Sequence, residues 1–99
     1  MKTVKTTVWD PAKYLETSED IIAYLDDVFS TNDPQLIIAA LGDVARAQGM
    51  TKISTDISCS RESLYKSLSL SGNPSFETVM NVMLSLGYGI KPSSVSVNT

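Results

Sequence analysis

The chain has 99 residues, and 42% of them are hydrophobic, which is enough for one small soluble domain with its own core. It has one cysteine and no histidine, so an intramolecular disulfide is excluded and the commonest general base and metal ligand is missing. The net charge of −3 excludes a strongly basic protein.

Charge is distributed unevenly along the chain. Residues 1–48 carry a net charge of −4, whereas residues 46–73 carry +2. A phosphate backbone responds to the local positive patch rather than to the total charge. The first ten residues, MKTVKTTVWD, contain no apolar signal core, and no 18-residue apolar run occurs, so we expect no membrane contact and a cytoplasmic location.

The first elements begin at capping signals. Residues 1–9 predict an arm or a short strand, and Asp10 followed by Pro11 predicts a short helical turn. Thr17 with Asp20 three residues later forms a capping-box pattern before an apolar stripe, which predicts a helix over 18–30.

A second helix is predicted over residues 34–48. Asp33 provides the N-cap and Pro34 the first helical position, and Ile37, Leu41 and Val44 form the apolar stripe. Gly49 then provides a residue that can adopt the left-handed capping conformation, which ends the helix.

Two short helices follow. Thr51 is expected to cap a helix over 51–57, and residues 58–59 leave room only for a tight turn. Ser60 can cap a helix over 60–69 by accepting a hydrogen bond from the backbone N–H of residue 62 or 63. Two short helices joined by a tight turn are typical of a helix-turn-helix unit.

The last predicted helix covers residues 76–86 and ends at Gly87. Its inner face is expected to contain Phe76, Val79, Met80 and Met83, widened by Val82, Leu84 and Leu86. We therefore predict an all-α, five-helix, lambda-repressor-like domain. Residues 1–30 would be an arm and leader helix, 31–90 the helix-turn-helix domain, and 91–99 a flexible tail.

The helix over 60–69 has an unusually polar face. Helical spacing places Leu64, Ser67 and Leu68 inward, with Cys59 packing from the turn. The outward set is Arg61, Glu62, Tyr65, Lys66 and Ser69. Arginine can pair with guanine and glutamate with cytosine, while the other side chains, with Thr51, Lys52 and Ser60, can hold phosphates. A solvated helix face explains the pattern equally well.

Two tracts carry a family resemblance. DPQLIIAALGDVARAQGM, followed by SRESLYKSLSLSGNPSFETVMNVMLSLG, resembles HigA-type antitoxins, the addiction module antidote proteins, a branch of the Xre/Cro-like helix-turn-helix proteins. The resemblance covers about residues 8–91. It implies a homodimer that binds operator DNA of its own operon and represses it. It also implies a partner toxin of the RelE/ParE type.

The chain departs from the family pattern at three positions. Ser54 stands where the family usually has alanine, Ser58 where it has glycine, and Cys59 where leucine is common. If Ser58 takes a positive φ, as the family glycine does, the cost is roughly 1 kcal/mol. The fold should tolerate this cost, and DNA binding could be weakened.

Other chemistry has little support. The neighbouring acids Asp26 and Asp27 have no ligand spacing, and Cys59 lacks a histidine, so we expect no enzyme, metal, cofactor or small-molecule ligand. The acidic N-terminal half suits a basic toxin, and the candidate toxin-binding residues are Trp9, Tyr14, Leu15, Asp26 and Asp27. Two alternatives remain: a stand-alone repressor without a toxin, and an interaction module that has lost DNA binding.

Overall fold

The computed structural model describes residues 15–96. This part of the chain is all-helical and contains no strand, which confirms the predicted fold class. The arm at 1–9 and the turn beginning at Asp10 lie outside the described residues. The five helices are α1 (Ser18–Phe29), α2 (Pro34–Gln48), α3 (Met50–Asp56), α4 (Arg61–Ser67) and α5 (Phe76–Leu86).

The first two helices begin where their capping signals predict. Thr17 Oγ1 accepts the N–H of Asp20 at 3.1 Å, and the Asp20 carboxylate accepts the N–H of Thr17 at 3.3 Å. Asp33 Oδ1 accepts the N–H of Gln35 at 3.0 Å, directly after Pro34 takes the first helical position. These bonds satisfy backbone donors that have no partner inside the helix.

The α2–α3 junction differs from the prediction. Gly49 caps both helices, so α3 begins at Met50 and the predicted cap Thr51 lies inside the helix. The chain turns here because Gly49 adopts φ 114° and ψ 105°, a positive φ that favours glycine. These angles lie outside the left-handed helical region, so the predicted left-handed capping conformation is wrong.

One core joins the five helices. Its most deeply buried large side chains come from α2, α3, α4 and α5: Leu41, Val44, Ile53, Leu64 and Val82. The helix α2 packs against α1, α3 and α5, so it occupies the centre. Ile21 and Leu25 of α1 belong to the same core cluster. The predicted leader helix therefore packs on the core of the residues that follow it.

The inner face of α5 lies elsewhere than predicted. Phe76 is 67% exposed and Leu84 is 58% exposed, whereas Val82 and Met83 are buried. At 100° per residue, the buried face is rotated by about 60° from the predicted one. Phe76 is the first helical residue and extends beyond the core, and Leu84 lies on the opposite side of the helix. The prediction that both face inward was therefore wrong.

A partly buried polar contact joins α1 to α2. Tyr24 Oη donates to Asp43 Oδ2 at 2.7 Å, and Arg46 forms an ion pair with the same carboxylate. Burial, and then the hydrogen bond to Asp43, raise the pKa of Tyr24 well above its ordinary value. The phenol therefore stays a donor, and the carboxylate has partners on both helices.

Candidate nucleic-acid interface

The turn between α3 and α4 is closed by backbone hydrogen bonds. The N–H of Ser58 donates to Thr55 O at 3.2 Å, and the N–H of Cys59 donates to Ser54 O at 2.9 Å. Ser58 adopts φ 56°, a conformation that glycine accepts more easily than serine. The expectation that Ser58 holds a positive φ is confirmed.

The other two unusual residues fit their surroundings. Ser54 is 6% exposed, and its Oγ donates to Thr51 O at 3.0 Å, so the buried hydroxyl is not left without a partner. Cys59 is partly buried and packs against the core, as predicted. Neither residue disrupts the pair of short helices.

Helix α4 is capped and anchored as expected, although it is shorter than predicted. Ser60 Oγ accepts the N–H of Ser63 at 3.1 Å, and the helix ends at Ser67 rather than at residue 69. Leu64 is fully buried and Leu68 is 5% exposed. These two side chains fix which face of α4 points outward.

The outward face contains most of the predicted residues. Arg61, Glu62 and Lys66 are exposed, and Tyr65 is 44% exposed. No residue in the described part of the chain forms a hydrogen bond or ion pair with the Arg61 or Lys66 side chain. Ser69 differs, because it is only partly exposed and its Oγ donates to Lys66 O at 3.0 Å.

The predicted phosphate contacts on α3 are also exposed, but one of them is paired. Lys52 Nζ donates to Asp56 Oδ2 at 2.8 Å, and Ser85 Oγ of α5 donates to the same oxygen at 2.7 Å. The hydrogen bond from Lys52, and then that from Ser85, lower the pKa of Asp56. The carboxylate is therefore ionised at neutral pH. Sequence reasoning missed this cluster, although the spacing of Lys52 and Asp56 on one helix was a readable signal.

Two glycines that sequence reasoning also missed hold the end of α4. A Cβ on Gly42 would lie 2.2 Å from the carbonyl oxygen of Leu68, and one on Gly72 would lie 1.9 Å from that of Ser67. Neither space admits a side chain, so the backbone of α4 packs directly on α2 and on the following loop. This close approach sets the position of the outward face.

The structure describes three of the five candidate toxin-binding residues. Trp9 and Tyr14 lie outside the described residues. Leu15 is 6% exposed and belongs to the core, which leaves it little surface for a partner. Asp26 and Asp27 are exposed on α1, and Asp26 borders a groove of about 740 Å³ between α1 and residues 88–95.

Residues 15–96 contain neither a metal-binding cluster nor a membrane-spanning helix. This part of the chain holds no group of three or more histidine, cysteine, aspartate or glutamate side chains placed to bind a metal ion. None of its helices has the length and apolar character needed to cross a membrane.

The described residues form a small all-α domain whose prominent feature is the polar outward face of α4. The chain belongs to the family described as "Probable addiction module antidote protein", whose model matches residues 5–94. It is 47% identical over 78 residues to an uncharacterised protein of Haemophilus influenzae, which covers 79% of this chain and 80% of that protein. No solved structure matches the chain.

This membership supports an antitoxin role. An antidote protein of an addiction module has a toxin as its partner. The resemblance to addiction module antidote proteins is confirmed at this level. The finer HigA-type and Xre/Cro-like assignments stay predictions.

Proposed function

We propose that this antidote protein binds operator DNA as a homodimer through α3 and α4, represses its own operon, and neutralises a RelE/ParE-type toxin. The observation that supports DNA binding most strongly is the division of α4 into two faces. Leu64 is fully buried, whereas Arg61 and Lys66 are exposed with no partner among the described residues. A short helix anchored in this way suits a major groove.

The proposed contacts divide into base reading and phosphate binding. Arg61 lies in the first helical turn of α4 and would pair with a guanine, and Glu62 would accept from a cytosine. Lys66 and Tyr65 would contact phosphates, together with Thr51, Lys52, Ser60 and Ser69. Two subunits would place their α4 helices in successive major grooves about 34 Å apart. This arrangement is that of an Xre/Cro-like repressor.

The proposed toxin contact uses charge. Asp26 and Asp27 are exposed on α1, and residues 1–48 carry a net charge of −4. Opposite charge accelerates association and orients the partners. A basic toxin of the RelE/ParE type is the partner that this acidic half would suit, with Trp9 and Tyr14 as further candidate contacts.

The test is binding of the purified protein to the DNA upstream of its own gene, titrated across salt concentrations, with and without the product of the adjacent small reading frame. We expect specific binding that weakens steeply with salt, because each neutralised phosphate releases a counterion. We also expect the neighbour's product to change it. Specific DNA binding that the neighbour's product does not change would favour a stand-alone repressor.

A second candidate function is an interaction module that no longer binds DNA. It is favoured by the ion pair that occupies Lys52 and by the positive φ of Ser58 in the turn before α4. It predicts a tight complex with the neighbour's product and no sequence-specific DNA binding. The same titration separates the two functions.

A further inference from the structure

The cluster formed by Lys52, Asp56 and Ser85 is not explained by the proposed DNA contacts alone. Lys52 Nζ and Ser85 Oγ both donate to Asp56 Oδ2, at 2.8 Å and 2.7 Å. The Lys52 side chain is 67% exposed and that of Asp56 is 41% exposed. The negatively charged Asp56 carboxylate therefore lies on the exposed side of α3, beside Lys52, which is proposed to contact a phosphate.

We propose that Asp56 is a positioning residue that holds Lys52 away from the phosphate backbone and thereby limits the affinity of the protein for operator DNA. This inference rests on the proposed DNA-binding function. Lys52 donates one N–H to Asp56 and has its charge compensated there. A phosphate must compete with this carboxylate for the ammonium group.

Ser85 makes the carboxylate harder to displace. An exposed lysine–aspartate pair within one helix is weak, because both side chains are solvated and mobile. The hydroxyl of Ser85 comes from α5 and bonds the same oxygen, which ties the carboxylate to a second helix. Asp56 therefore keeps its position near Lys52 even when the lysine leaves. Its charge then repels an approaching phosphate.

The variant that tests this inference is Asp56→Asn, because the amide oxygen keeps the shape and can accept both hydrogen bonds without the charge. Operator affinity should rise roughly fivefold, the effect of removing one exposed like charge at close range. The slope of log affinity against log salt should steepen by up to about 0.9, because no carboxylate then compensates the Lys52 charge and the lysine can neutralise one more phosphate.

Lys52→Ala distinguishes a positioning role of Asp56 toward Lys52 from a purely structural role of Asp56. In the wild-type background it should weaken operator binding by less than it does in the Asp56→Asn background, because Asp56 competes with the phosphate for the lysine. In the Asp56→Asn background it should cancel most of the gain. The matched control is Glu16→Gln, which removes an exposed carboxylate before α1 and should leave affinity unchanged.

The outcomes separate this inference from the function on which it rests. If the wild type binds the operator and the Asp56→Asn variant binds it more tightly and with a steeper salt dependence, the inference and the DNA-binding function are both supported. If only the variant binds, Asp56 limits the affinity more strongly than expected. Wild-type binding with an equal or weaker variant that unfolds at the same temperature overturns the inference only. If neither protein binds the upstream DNA specifically, the proposed DNA-binding function fails and the inference fails with it.

Discussion

Gly42 of α2 and Leu68 at the end of α4 are in direct backbone contact, since a Cβ on Gly42 would lie 2.2 Å from the Leu68 carbonyl oxygen. Leu68 is itself 5% exposed and packs in the core. The two helices can be this close only while residue 42 has no side chain. The position of the proposed DNA-reading helix therefore depends on a glycine in the middle of another helix.

Gly42→Ala should destabilise the protein by about 1–3 kcal/mol, the usual cost of overpacking. This loss outweighs the gain of up to about 1 kcal/mol that alanine normally brings inside a helix. Urea unfolding measures the change. The control is Gly89→Ala, because a Cβ there meets nothing within 4 Å. Equal stability of Gly42→Ala and wild type would show that Gly42 and the Leu68 carbonyl are not in close contact.

Ser58→Gly should stabilise the protein by about 0.5–1 kcal/mol. The relief of a positive φ at a non-glycine residue, about 1–2 kcal/mol, exceeds the entropy cost of glycine, about 0.5–1 kcal/mol. A thermal melt should show a higher midpoint. Asn32→Gly provides the comparison, because Asn32 also has a positive φ of 55°. Asparagine tolerates this region well, so its replacement should gain less. A larger gain at Asn32 would contradict this account of the turn.

The pH dependence of stability should reveal the Asp56 contacts. Hydrogen bonds from Lys52 and Ser85 lower the pKa of Asp56 below its ordinary value of 3.8 in the folded protein. The carboxylate's stabilising contribution is therefore present above that ordinary value and is lost as the pH falls through the lowered folded pKa. Unfolding of the wild type and Lys52→Ala between pH 2 and 7 measures this effect. The two stabilities should converge in acid, and a constant difference would argue against the pair.

Local signals explain which parts of the fold could be predicted from the sequence. The caps at Thr17, Asp33 and Ser60 were predicted correctly, because each side chain bonds a backbone N–H only two or three residues away. The prediction that Thr51 caps α3 was wrong, because Gly49 is the N-cap and the helix begins at Met50. The N-caps were therefore predictable where a side chain of the cap residue bonds the backbone, as at these three residues.

Contacts between distant parts of the chain could not be predicted. Helix α5 has a wide apolar face that includes Phe76 and Leu84, so its periodicity did not show that these two residues are exposed. Ser85 reaches Asp56 across 29 positions, and Gly42 meets Leu68 on a different helix. The outward face of α4 was predicted because two leucines fix it. The ion pair between Lys52 and Asp56 is local, but the bond from Ser85 to its carboxylate depends on the packing of α5 against α3.

Arg61→Ala provides the sharpest test of the outward face of α4. The guanidinium is exposed, and no described residue pairs with it, so its removal leaves no buried charge without a partner and should not change the unfolding midpoint. If Arg61 pairs with a guanine, specific operator affinity should fall by about 1–3 kcal/mol, and discrimination at one base pair should relax. Competition binding with single-base operator variants measures both effects.

The matched control for that experiment is Lys91→Ala, which removes one exposed positive charge from the segment after α5. It should leave base discrimination unchanged, because it lies outside the proposed α3 and α4 surface. Lys66→Ala should weaken binding to all sequences alike and reduce the salt slope by about 1, as expected for a phosphate contact. If Arg61→Ala behaves like Lys91→Ala, Arg61 does not read a base, and the polar face of α4 would be a solvated surface.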